Sequence, residues 1–223
     1  DFHNDDIWDY IYNEVAIDYN AGFVGALAGH VYYYGITHQP VANFPPAEPP
    51  IDEYLMSAKL EQENNARTQI TVSLDCQPVH PPRYETGLSC RYYFDLSELY
   101  AAGQDSGDII IDTYYDECAT LDKIPANITG PHAWDAANSI YYIEIDWSNV
   151  PIFGDREYQF GLINVQDPNY EYHWDPTNDF SREGITATMA LTQRIPIYLN
   201  GTLVYGTEPG ATPTRARGDD AAP

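Results

Sequence analysis

The sequence runs to 223 residues, with 34 Asp plus Glu against 10 Lys plus Arg and a formal net charge of -24. So acidic a chain disfavours nucleic acid and anionic membrane as partners, because both need a basic face that displaces counterions, whereas a neutral polysaccharide remains compatible. No apolar run approaches the length of a membrane span, and no leader peptide is visible. Aromatic residues make up 14% of the chain, 20 of them tyrosines. Such rings serve as sheet-face and core residues, or as platforms that stack on sugars.

In chain order, residues 1–34 read as helical. Phe23, Leu27 and Val31 recur at helical spacing within a small, apolar run from Ala21 to Ala28, which predicts a helix packed closely on neighbours. A lone helical pair buries too little apolar surface to fold alone, so this segment requires a larger domain. Residues 35–50 carry Pro40, Pro45, Pro46, Pro49 and Pro50, the composition of a semi-rigid connector. From 51 to 209 the pattern is that of strands. Ile70, Val72 and Leu74 alternate with Gln69, Thr71 and Ser73. Tyr141, Ile143, Ile145 and Trp147 alternate with Tyr142, Glu144 and Asp146, and Ile185, Ala187, Met189 and Leu191 with Thr186, Thr188 and Ala190. Short period-2 segments separated by Gly, Pro, Asn and Asp predict a mainly β fold, a β-sandwich. Asn200-Gly201 between two apolar triplets is a two-residue hairpin signal.

Residues 210–223 have no apolar pattern and read as a disordered linker tail, with Arg217-Gly218-Asp219 a chance triplet. Cys76, Cys90 and Cys118 show no metal-site spacing. One disulfide, Cys76 to Cys90, and three isolated thiols both fit them. The two glycosylation sequons, at Asn127 and Asn200, are incidental, and Asn200 is accounted for by its hairpin.

Asp5 is followed by Tyr10, Glu14, Ala16, Asn20 and Ala21. The series resembles the C-terminal active-site signature of glycoside hydrolase family 9, with His3 where that signature has an aromatic. Glycosidic hydrolysis needs one carboxylic acid to protonate the leaving oxygen and a second carboxylate acting on water or on the anomeric carbon. The resemblance implies Glu14 as general acid of an inverting cellulase, Asp5 as an assisting active-site carboxylate and Tyr19 as a residue lining the subsite. The family's catalytic base lies far upstream and has no counterpart here. Residues 1–34 would then be the helical remnant of an (α/α)6-barrel catalytic domain.

A second set of motifs runs through Leu88–Glu98, Tyr114–Glu117, His132–Asn138, Tyr142–Asp146, Trp174–Asp179 and Leu199–Gly206. Together they resemble carbohydrate-binding module family 3, in the subtype c form that follows family 9 catalytic domains. The resemblance implies a nine-stranded jelly-roll sandwich with a structural calcium. Asp175, Asn178 and Asp179 in one loop, with Asp95 and Ser97 in a partner loop, would supply the hard oxygen ligands that calcium prefers. Glu171 and Glu117 stand where cellulose-binding members carry a strip Trp and His, so flat stacking is impaired, although Tyr170 and Tyr172 flank the place. The implied whole is a secreted endo- or processive β-1,4-glucanase whose sandwich guides cellulose chains into the cleft of its upstream catalytic domain, with this chain inactive alone. A non-catalytic cellulose-binding module and a calcium-stabilised architectural sandwich are the alternatives.

Overall fold

The computed structural model describes residues 17–35, 52–79 and 82–210. The chain divides into two compact units, residues 1–49 and residues 50–223. In the first unit, α1 (Ile17–Tyr34) is the helix predicted from the Phe23, Leu27 and Val31 spacing. The same three side chains are exposed, as are Tyr32, Tyr33 and Tyr34. A Cβ added at Gly22, Gly25 or Gly29 would meet nothing within 4 Å. The expected close neighbours are therefore absent from this helix among the described residues. Asp5, Glu14 and the Pro-rich stretch of residues 36–50 lie outside the described residues. Tyr19 falls in the first turn of α1.

The second unit is a sandwich of two five-stranded antiparallel sheets. Its strands are β1 (Tyr54–Asn64), β2 (Arg67–Cys76), β3 (Leu88–Asp95), β4 (Ile109–Asp116), β5 (Asn127–Asp135), β6 (Ile140–Asp146), β7 (Gly154–Asn164), β8 (Ala190–Leu191), β9 (Ile197–Leu199) and β10 (Thr202–Tyr205). The first sheet has the order β4-β7-β2-β1-β8 and the second the order β10-β9-β3-β6-β5. Where the resemblance implies nine strands, the described residues carry ten, and β8 is only two residues long. Two single-turn helices, α2 (Ser97–Ala101) and α3 (Glu117–Leu121), follow β3 and β4.

Alternation explains the core. Ile70, Val72 and Leu74 of β2 face inward with Tyr158, Phe160 and Leu162 of β7. From the other sheet they meet Cys90, Tyr92 and Phe94 of β3 and Tyr141, Ile143 and Ile145 of β6. Burying these side chains is the main favourable contribution to the fold, about 1.5–3 kcal/mol for each large apolar group. The hairpin forms as expected: Asn200 (φ 50) and Gly201 (φ 77) both occupy the left-handed region that a type I′ turn demands.

One expectation resolves differently, and one left open is decided. Ile185–Leu191 is not an alternating strand: only Ala190 and Leu191 pair, with Ala58 and Ser57 of β1. The hydroxyl of Thr186 accepts from the backbone N–H of Thr188 and donates to its carbonyl, a local turn that competes with ladder pairing. Cys76, Cys90 and Cys118 are free thiols, all buried. Burial pushes the Cys76 and Cys118 thiols up to about 12, so they behave as small apolar groups rather than nucleophiles.

Candidate functional site

Two places in the sandwich carry chemistry beyond folding: a carboxylate cluster beside β3, and the outer face of the first sheet.

Strand β3 pairs with β9 only from Leu88 to Cys90. Beyond that point its exposed edge would leave alternate N–H groups without acceptors. The segment after Trp174 supplies them. The N–H of Arg91 donates to the Pro196 carbonyl at 3.2 Å, that of Tyr93 to the Ser181 hydroxyl at 2.8 Å, and that of Asp95 to Asp179 Oδ1 at 2.9 Å. Ser181 in turn donates to the Arg194 carbonyl at 2.5 Å. The segment is anchored by Trp174, which is buried, donates from its indole N–H to the Thr68 hydroxyl at 2.8 Å and packs on Phe94.

Asp179 thus closes the sheet edge with one oxygen. Its other oxygen, Oδ2, is buried with no hydrogen-bond partner, and the residue as a whole is 2% exposed. Burial, reinforced by the negative charges of Glu98, Asp95 and Asp175, pushes the Asp179 carboxyl well above the usual carboxylate range. An orphaned buried carboxylate oxygen costs several kcal/mol unless a proton or a cation meets it.

The neighbours offer further oxygen donors. Asp175 caps the turn Pro176–Asn178, accepting from the N–H and hydroxyl of Thr177 at 3.0 and 2.6 Å, bonds that hold its carboxyl below the usual range. Glu98 on α2 accepts from the N–H of Asp175 at 3.3 Å and from Asn178 Nδ2 at 3.1 Å. Burial raises the Glu98 carboxyl. Asp95 Oδ1 accepts from the N–H of Ser97 at 2.7 Å. Asp95, Asp175, Asn178 and Asp179 are therefore linked through one small region. Ser97 enters through its backbone N–H, while its side chain is exposed. Glu98 was not predicted. Its position three residues after Asp95, in a helix that begins at Ser97, is the signal that could have found it.

The outer face of the first sheet is open. Gln69, Thr71 and Ser73 of β2 lie beside Gly161, Gln159 and Glu157 of β7, with Lys59 and Ser57 of β1 beyond. Lys59 pairs with Glu61 at 3.0 Å; Glu61 accepts from the Thr71 hydroxyl at 2.6 Å, and Gln159 Nε2 donates to the same hydroxyl at 3.1 Å. On β4 the register shifts between Thr113 and Tyr115. The bulge inserts Tyr114, so that two successive tyrosines are exposed on this side, at 42% and 39%. The Tyr114 ring lies across Gly161, where a Cβ would come within 2.9 Å of its Cε2, and its hydroxyl accepts from Arg67 Nη2 of β2. The result is a patch of ring, guanidinium, amides and hydroxyls on one side of the sheet.

The positions where the sequence expects strip residues are otherwise engaged. Glu117 Oε2 accepts from the N–H of Glu157 at 2.8 Å, binding α3 to β7. Glu171 is exposed in the loop after β7, flanked by Tyr170 (82% exposed) and Tyr172 (38%).

An antiparallel sandwich with an acidic cluster at one sheet edge and an open polar-aromatic sheet face is the architecture of a carbohydrate-binding module. The family described as "Cellulose binding domain" matches residues 55–206, and the chain belongs to that family. It is similar to "Endoglucanase A" of Bacillus pumilus, 37% identical over 94% of this chain and 31% of that protein. A comparable match is "Endoglucanase 4" of Bacillus sp. (strain KSM-522), 39% identical over 94% of this chain and 32% of that protein. Among solved structures it resembles endoglucanase CelQ from Clostridium thermocellum complexed with cellotriose, with a TM-score of 0.72 and 37% identity over 94% of this chain and 34% of that one. The chain thus spans about a third of the length of these relatives.

Proposed function

We propose that this chain is the C-terminal part of a secreted, inverting β-1,4-glucanase of glycoside hydrolase family 9, and that its sandwich, of subtype c, guides single cellulose chains towards the catalytic cleft. The observation that carries the reading is the polar-aromatic outer face of the first sheet, where Tyr114 lies on Gly161 beside Arg67, Gln69 and Gln159. A ring of this kind stacks on a sugar face, and the surrounding amides and charged groups hydrogen-bond hydroxyls. The endoglucanase relatives support the activity class, and the cellotriose complex of CelQ supports a β-1,4-glucan as the class of ligand.

In this reading Glu14 protonates the leaving oxygen, Asp5 assists it, and Tyr19 lines the subsite. The catalytic base comes from elsewhere in the longer protein, so residues 1–223 alone release no reducing sugar. The exposed apolar side chains of α1 would be covered by the rest of the catalytic domain. Calcium would be held by Asp95, Asp175, Asn178 and Asp179, joined by Glu98, and the orphaned Asp179 Oδ2 is what makes the residues fit it. Bound there, the cation supplies charge compensation that lets Asp179 remain ionised while it seals the edge of β3.

Affinity electrophoresis of the chain through gels containing soluble hydroxyethylcellulose tests the reading. Retardation that Tyr114→Ala reduces supports it. Unretarded migration, or retardation that Tyr114→Ala leaves unchanged, overturns the assignment of this face.

A further inference from the structure

The loop from Val165 to His173 holds a second group of ligating side chains, separate from the carboxylates beside β3. The ligand atoms of Asp167, Glu171 and His173 all lie within 4.8 Å of one another. We propose that these three residues form a binding site for a borderline transition-metal dication of the zinc class.

The donor set carries the choice of metal. An imidazole nitrogen with two carboxylate oxygens suits zinc and its neighbours, whereas calcium takes oxygen ligands almost exclusively. Three protein ligands leave positions for water, and Glu171 is exposed, so a cation can enter from solvent.

The scaffold beneath the site is fixed without the metal. The backbone N–H of His173 donates to Asn164 Oδ1 at 2.8 Å, and the buried Asn164 donates from Nδ2 to Gln104 Oε1 at 3.1 Å. Gln104 in turn donates to the Val165 carbonyl at 2.7 Å, so both ends of the loop are tied to one buried amide chain. Asp167 Oδ1 accepts from the N–H groups of Asn169 and Glu171 at 2.8 and 2.9 Å, which orients Oδ2 towards His173 Nε2 at 3.2 Å. The backbone bonds to Oδ1 fix the Asp167 side chain, as outer-shell contacts do for ligating carboxylates. Bound metal would clamp the loop that carries Tyr170 and Tyr172.

Isothermal titration of the chain with zinc chloride, in saturating calcium, tests this. Binding of a single zinc equivalent is expected, weakened about 10-fold or more by His173→Gln and by Glu171→Gln. Cobalt(II) should give a visible absorption band that His173→Gln abolishes, while the thermal transition of that variant confirms that it still folds. Absence of zinc binding, equal affinity in both variants, or displacement of zinc by millimolar calcium would each overturn the site. None of these outcomes depends on whether the sheet face binds glucan.

Discussion

The outer faces of the two sheets both carry tyrosines, but the rings are covered to different degrees. On the second sheet the guanidinium of Arg91 lies 4.6 Å from the centre of the Tyr142 ring and 4.4 Å from that of Tyr198, and its Nε donates to Glu144 at 2.8 Å. Tyr93, on the same face, is fully buried among Trp134, Tyr142 and Phe180, and its hydroxyl bonds that of Tyr198 at 2.8 Å. Those rings are occupied by one another. On the first sheet Tyr114 lies against a glycine with the Arg67 guanidinium 5.4 Å from its ring centre, yet it stays 42% exposed. What separates a structural aromatic from a binding aromatic is therefore what covers it, not how many there are.

The largest expected effect lies on the closed face. Tyr93→Ala should cost about 3–5 kcal/mol by leaving a cavity among four rings, read as a lower denaturation midpoint. A change below ~1 kcal/mol would mean that the second face is not the packed structure described.

Next comes the carboxylate cluster beside β3, the proposed calcium site. Chelation should lower the melting temperature of the chain, and Asp179→Leu should abolish that sensitivity. At a calcium concentration 100 times its dissociation constant the ligand contributes about 2.7 kcal/mol. The pH dependence follows from the same carboxyl. The folded pKa of Asp179 is raised, so without calcium the folded state binds more protons than the unfolded one, and stability falls as pH rises from the ordinary carboxylate value through the Asp179 value. Calcium competes with that proton, so the loss should vanish when it is added. Identical pH profiles with calcium and with chelator would exclude Asp179 as a ligand.

These elements were unequally legible in the sequence. Ile70, Val72 and Leu74 reveal β2 because one face of it is buried and the other is polar, and Asn200-Gly201 reveals its hairpin because few other pairs tolerate two left-handed residues. Residues 185–191 have the same period but no partner along most of their length, and Thr186 turns the chain locally instead. There the alternation reports neither pairing nor a buried face: Ala187 and Leu191 are exposed. The acidic loop was legible as Asp175, Asn178 and Asp179 because those residues are adjacent in sequence. Glu98 was not, because only the docking of the Trp174 anchor brings α2 against that loop. The bulge that turns Tyr114 outward is likewise invisible locally, since it exists only in the register of β4 against β7.

The open face should respond in the opposite way to the closed one. Tyr114→Ala should leave stability within about 0.5 kcal/mol, as for most surface substitutions. Its affinity for soluble glucan should fall roughly 5-fold, because losing ~1 kcal/mol of ring contact corresponds to about fivefold in the dissociation constant. Tyr142→Ala, made for contrast on the closed face, should reverse the pattern: lower stability and unchanged electrophoretic retardation. If Tyr142→Ala weakens glucan binding more than Tyr114→Ala does, the two faces have been assigned the wrong way round.

The smallest effect tests why residue 161 is glycine at all. A Cβ there would come within 2.9 Å of Tyr114 Cε2 and 3.3 Å of its hydroxyl, closer than side chains ordinarily approach. The atom in the way belongs to a mobile ring rather than to backbone, so Gly161→Ala should displace the tyrosine instead of unfolding the strand. Replacing glycine inside β7 also removes conformational freedom from the unfolded chain, a gain of up to about 1 kcal/mol. The variant is therefore expected to be no less stable than the parent and to bind glucan two- to threefold more weakly, a loss of ~0.5 kcal/mol. In a Tyr114→Ala background the same substitution should change affinity no further, since the ring it displaces is gone. Additive losses in that double variant would mean that Gly161 contacts the glucan directly, and that the ring is not what the flat strand was built to carry.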